Sequence, residues 1–106
     1  MNKKLPIEIP HEKITEFCKK WHITELALFG SVLREDFRPD SDIDVLVRLS
    51  EDAHTTLFNM VDMKDELEKI FGRKVDLLSR RGVESSRNYI RKKAILSSAE
   101  PLYAAG

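Results

Sequence analysis

At 106 residues, 42% of them hydrophobic, the chain suits one domain with a modest core and is too apolar for a disordered segment. Lys plus Arg and Asp plus Glu each number 18, so the formal net charge is +0 and the overall basic footprint of a general nucleic-acid binder is missing. The single cysteine, Cys18, excludes an internal disulfide and fits a reducing compartment. No apolar run approaches the roughly 20 residues that span a bilayer. The opening MNKKLPIEIP lacks a signal-peptide core. The expectation is a cytoplasmic protein with a single domain over 1–106 and no membrane partner.

In chain order, Ile14, Phe17, Cys18 and Trp21 recur at spacings of three and four, which predicts a helix from Pro10 to Trp21. Thr24 to Phe29 reads as a strand closed by Gly30. SVLRED then reads as one short helical turn, and FRPDSD as a loop built on Pro39, Asp40 and Ser41. Ile43 to Leu49 is rich in β-branched residues and predicts a second strand. The polar SEDAH supplies turn and cap residues. Leu57, Met60, Val61, Leu67, Ile70 and Phe71 mark a long amphipathic helix stopped by Gly72. Lys74 to Ser79 is a third strand. Glu84 to Ser98 is a last helix with Tyr89, Ile90, Ala94 and Ile95 inward, ended by Pro101. The fold class expected is α/β (α+β), a small mixed sheet with helices mainly on one face. The long connection between the first two strands excludes a tight hairpin.

Two carboxylates, Asp42 and Asp44, stand where the apolar second strand begins. Alternation puts them on one face, about 6–7 Å apart along the strand. A charge entering a buried strand is costly without a partner. In VDLLS, Val75 and Leu77 face the helices, so Asp76 faces the other way. If the third strand lies beside the second, Asp76 joins the other two. Three carboxylates on one surface suit hard divalent cations such as Mg²⁺, which takes carboxylate oxygens, water and substrate phosphates. Such a site performs phosphoryl transfer. Upstream, Gly30 lets the backbone approach a phosphate, and Ser31 adds a hydroxyl to the N–H groups of the turn. Arg34 lies one helical turn on and can neutralise phosphate charge. The bland alternatives are turn residues for Asp42 and Asp44, a strand-edge carboxylate for Asp76, and a surface ion pair with Glu35 or Asp36 for Arg34. The joint spacing of Gly30-Ser31, ten residues, Asp42-Ile43-Asp44 and the later Asp76 favours the site over its parts.

At these residues the sequence resembles the minimal nucleotidyltransferase family of the DNA polymerase β superfamily. SDIDVLV and VDLLS are close to that family's words, and the resemblance extends more weakly through RNYIRKKAILSSAEPLY. It implies a nucleotidyltransferase fold, Mg²⁺ as cofactor, ATP as substrate, and transfer of a nucleoside monophosphate to an acceptor hydroxyl. Asp42, Asp44 and Asp76 are then the metal-binding, catalytic carboxylates, and Gly30, Ser31 and Arg34 the nucleotide-binding residues. The family's small members are commonly antitoxins paired with an all-helical HEPN ribonuclease toxin, on which they place AMP at a tyrosine.

Two readings compete: a protein adenylyltransferase, and a non-catalytic nucleotide-binding antitoxin that neutralises its partner by occupying it. The complete carboxylate set favours the first. A polymerase or small-molecule nucleotidyltransferase is disfavoured by length, so the acceptor surface is expected from another chain. Nucleic acid is not the expected direct partner. The basic cluster of Arg80, Arg81, Arg87, Arg91, Lys92 and Lys93 reads as a solvated face, with an acidic partner or RNA as the other contacts it could make. The run Asp62 to Glu68 reads as mostly a helix's outer face, and the last helix and the tail PLYAAG as candidate partner contacts. His11, His22 and His54 have no ligand spacing, and Cys18 reads as core.

Overall fold

A computed structural model describes residues 9–30, 42–51 and 56–105. Their order is α1 (His11–Lys20), β1 (Ile23–Phe29), β2 (Ile43–Leu49), α2 (Leu57–Phe71), β3 (Val75–Ser79), α3 (Arg80–Glu84), α4 (Tyr89–Ser98) and β4 (Glu100–Ala104). The four strands form one sheet in the order β3-β2-β1-β4. β1 runs antiparallel to both β2 and β4, and β2 runs parallel to β3. The sheet is therefore mixed. The parallel pair needs a crossover, which α2 supplies.

β1 and β2 are the central strands and are buried on both faces. Ile43, Val45 and Val47 pack with Ile14, Phe17 and Cys18 of α1 and with Met63 and Leu67 of α2. Burial of the Cys18 thiol pushes its pKa up to about 12, which makes it an inert core residue. Ile23, Leu26 and Leu28 join the same core, although the first two are an odd three positions apart. A register irregularity between Ile23 and Glu25 resolves the parity, since one extra residue returns Ile23 to the shared face. On the other face Phe29 and Leu46 meet Val83 of α3 and Ile95 of α4. The two most extensively packed helices thus share one face, and α3 and α4 cover part of the other.

α2 has the bounds its periodicity predicts, and its ends show why. Thr56 caps it, with Asn59 N–H donating to the Thr56 hydroxyl at 3.3 Å and Asn59 Oδ1 accepting from Thr56 N–H at 3.0 Å. Gly72 closes it at φ +70°, with its N–H donating to the Glu68 carbonyl at 2.8 Å. The cap is thus Thr56, beyond the SEDAH segment expected to supply it. Met63, absent from the apolar set read in sequence, is fully buried, while Val61 is largely exposed.

Further expectations are corrected. The last helix starts at Tyr89 rather than Glu84, and a short helix that was not expected, α3, precedes it: Ser79 caps α3 by accepting from Gly82 N–H at 3.1 Å, and Asn88 caps α4 by accepting from Arg91 N–H at 3.1 Å. These local side-chain bonds compete with a continuous helix. Of the inner face expected on it, Ile95 alone is buried, and Tyr89, Ile90 and Ala94 are exposed. The tail is a fourth strand, with Pro101 in it. Proline lacks an N–H and is tolerated because β4 is an edge strand, with an irregularity beside its partner Ala27. The acidic run of α2 is mostly outward, as expected, with Glu66 half-buried. The Glu66 carboxylate accepts from Lys20 Nζ and from Trp21 Nε1, tying the end of α1 to α2. Among the described residues, no helix is long and apolar enough to cross a membrane.

Two tests address this architecture. Leu67→Ala removes a fully buried side chain and is expected to cost about 2–5 kcal/mol, whereas Phe58→Ala, at 84% exposure, stays within about 0.5 kcal/mol; urea unfolding separates them. Partial burial pushes the Glu66 carboxyl up, but the Lys20 and Trp21 hydrogen bonds and the Lys20 and Lys69 charges outweigh it and hold the pKa below its ordinary value. Its stabilising contribution is full above the unfolded carboxylate pKa of about 4.3 and is lost as pH falls through the lower folded value. Acid titration of stability, followed by Trp21 fluorescence, is expected to be flatter for Glu66→Gln across that range.

Candidate active site

The site grows from the end of the sheet where β1 finishes and β2 and β3 begin. Across the strands, Phe29 pairs with Asp44, and Asp44 pairs with Asp76. Paired residues on neighbouring strands project to the same face about 4.8 Å apart. Asp44 and Asp76 are therefore neighbours on the face opposite α1 and α2, as the alternation in IDVLV and VDLLS predicts. Asp44 is half-buried and Asp76 exposed.

Two bonds fix the strand starts. Ile43 N–H donates to the Lys74 carbonyl at 2.9 Å. Val75 N–H donates to the Glu68 side chain at 3.0 Å. The residues after these two anchors are Asp44 and Asp76, so both carboxylates issue from pinned backbone. Glu68 went unnoticed in the sequence because it belongs to a charged run that reads as solvated. Only its position relative to β3 reveals its task.

Gly30 has a reason for being glycine that the sequence did not show. Its φ is +75°, and a Cβ there would lie 2.2 Å from Asp44 Oδ2 and 3.1 Å from Asp44 Cγ. The backbone of Gly30 and the carboxylate of Asp44 thus share space that no side chain can enter. Ser31 and Arg34, expected to grip phosphate, lie outside the described residues, as do the SVLRED turn and most of FRPDSD. Asp42 lies just before β2 and is exposed. Among the described residues, no three His, Cys, Asp or Glu side chains converge into a metal-holding group. The donor chemistry still fits Mg²⁺. Asp44 and Asp76 offer hard oxygens on neighbouring strands, and Mg²⁺ needs only one or two carboxylates beside substrate phosphates.

The basic cluster divides. Arg80 donates to Glu25 at 2.8 Å and to Glu84 at 3.1 Å, joining α3 to the central strand β1. Arg91 and Lys92 instead line a groove beside β3.

The sequence profile of the nucleotidyltransferase domain family matches residues 11–99, most of the chain and all of this site. The chain belongs to that family. Protein adenylyltransferase MntA of Thermococcus cleftensis is 31% identical to this nucleotidyltransferase over 75 residues, 71% of this chain and 72% of that one. A solved structure provisionally described as a minimal nucleotidyltransferase is 32% identical with a TM-score of 0.66, covering 86% of this chain and 87% of that one. A chain in the structure of a tri-AMPylated Shewanella oneidensis HEPN toxin in complex with MNT antitoxin superposes with a TM-score of 0.62 at 18% identity, covering 90% and 70%. That last likeness is one of fold. The small mixed sheet is the minimal nucleotidyltransferase architecture, as the sequence resemblance implied.

The Gly30–Asp44 contact is testable without activity. Gly30→Ala is expected to destabilise by about 1–2 kcal/mol, from the left-handed backbone and the clash together. In a double-mutant cycle with Asp44→Ala the two losses are expected to be non-additive by at least about 0.5 kcal/mol. Additive losses in urea unfolding would contradict the contact.

Proposed function

We propose that this nucleotidyltransferase is an Mg²⁺-dependent protein adenylyltransferase that moves AMP from ATP to a tyrosine hydroxyl of a HEPN-type toxin and so acts as its antitoxin. The observation that carries the reading is the Asp44–Asp76 pair, side by side and set against the bare backbone of Gly30. The adenylyltransferase name of the Thermococcus cleftensis relative and the AMPylated toxin in the Shewanella oneidensis complex support the acceptor. A lone buried thiol supports a cytoplasmic setting.

In this reading Asp42 and Asp44 hold the cation, whose charge neutralises the triphosphate oxygens when it is bound. Gly30 and Ser31 grip the β- and γ-phosphates through backbone N–H groups and the Ser31 hydroxyl. Arg34 offsets further phosphate charge. Asp76, one strand away, orients the acceptor hydroxyl and takes its proton. The new bond joins the hydroxyl oxygen to the α-phosphorus, the α–β phosphoanhydride bond breaks, and pyrophosphate leaves. The same carboxylates serve no purpose in an antitoxin that acts by occupancy alone.

The test uses ATP labelled at the α-phosphate, Mg²⁺ and the HEPN-type toxin encoded with this chain. Label is expected on the toxin, dependent on Mg²⁺. Asp44→Asn, which removes charge with little change in shape, is expected to lower transfer on the order of a hundredfold or more while unfolding at an unchanged urea midpoint or a higher one. A stable complex that never carries label would replace this reading with the occupancy antitoxin.

A further inference from the structure

The sheet order leaves β3 at an edge. Beside its second half runs an open groove of about 370 Å³. Met60 of α2, Leu78 of β3, Val83 of α3 and Ile95 of α4 give it an apolar lining, and Arg91 and Lys92 of α4 supply its charge. Among the described residues its other polar lining side chains are Ser79 and Ser86, and no Asp or Glu lines it. The described lining therefore carries charge of one sign. Tyr89, one helical turn before Lys92 on α4, is 69% exposed. On α2, Val61 next to Met60 is 57% exposed. Large apolar side chains left in water beside an apolar groove mark a contact surface.

We propose that this groove docks a segment of the protein that receives the AMP, a segment presenting two or three apolar side chains flanked by carboxylates. The proposal rests on the protein-adenylylation reading. The apolar lining takes the apolar side chains, and Arg91 and Lys92 meet the carboxylates. Nucleic acid fits less well, since a strand binder sets several aromatic platforms along a basic track and no aromatic side chain is among the described lining residues. The location gives the docking a consequence. Asp76 is followed directly by Leu77, which also lines the groove, so a segment seated there brings its own chain alongside the carboxylate assigned to the acceptor hydroxyl. Arg80 and its bonds to Glu25 and Glu84 hold α3 in place as one wall.

The experiment titrates the full ¹⁵N-labelled chain with a helical peptide bearing Leu at i, i+3, i+4 and i+7 and Glu at most other positions. Amide shifts are expected at Leu77 to Ser79, Val83 and Arg91 to Ile95. Affinity is expected to fall about tenfold in Arg91→Glu/Lys92→Glu and to weaken with salt. No binding at about 1 mM peptide, shifts confined elsewhere, or equal affinity for the Lys version of the peptide would overturn the docking site. So would equal affinity for a single-stranded oligonucleotide. The two readings fail separately. If the charge-reversed chain labels the toxin with an unchanged toxin KM, the groove is excluded and the enzyme stands. If the peptide binds in the groove while the wild-type chain never labels the toxin, the groove stands as a docking surface and the transfer is excluded.

Discussion

The close approach of the Asp44 carboxylate to the backbone of Gly30 governs how this end of the molecule is built. A charge in a central strand has to be given room and polar surroundings. Asp44 stands between Phe29 on one side and Asp76 on the other, with Leu46 two residues further into the apolar layer. Gly30 provides the room, because at φ +75° and without a Cβ its backbone lies against the carboxylate and leaves it in place. Any other residue there has to displace the carboxylate or the turn. The start of β2 can thus hold a carboxylate without a cavity or a bulge at that point.

The rest of the structure holds that arrangement steady. α1 and α2 bury one face of β1 and β2, so the strand that carries Asp44 is fixed along its length by Ile43, Val45 and Val47. Glu68 reaches from α2 to the first N–H of β3, and the Lys74 carbonyl receives the first N–H of β2. The neighbouring carboxylates are therefore positioned by rigid elements, the condition under which electrostatic catalysis is effective. α3 and α4 cover the apolar part of the opposite face, around Phe29 and Leu46.

Division of the charged residues follows from the same geometry. Arg80 and Glu25 consume one another across α3 and β1, and Glu66 binds α1 to α2 through Lys20 and Trp21. Partly buried bonds of this kind order helix ends more than they add net stability. Arg91 and Lys92 are placed by α4 beside the open edge of β3, where they give the groove its sign. One compositional cluster therefore serves structure at Arg80 and recognition, as proposed, at Arg91 and Lys92.

The sequence by itself determined what depends on local pattern. Ile43–Leu49 and Leu57–Phe71 have the predicted bounds because β-branched alternation and a helical period closed by Gly72 are strong local signals. The facing of Asp44 and Asp76 follows from two-residue alternation and was legible before any strand pairing was known. Other features needed the assembled chain. EPLYA becomes a strand only because β1 offers an unpaired edge, and Pro101 in it reads locally as a helix stop. Tyr89 and Ile90 face water because Asn88 restarts the helix and sets its phase, a choice made by one side-chain bond. Gly30 was recognisable as a special backbone position, but the atom it accommodates is supplied by a strand fourteen residues on. Periodicity records what each segment must bury; which partner fills the space beside it is settled only when the strands meet.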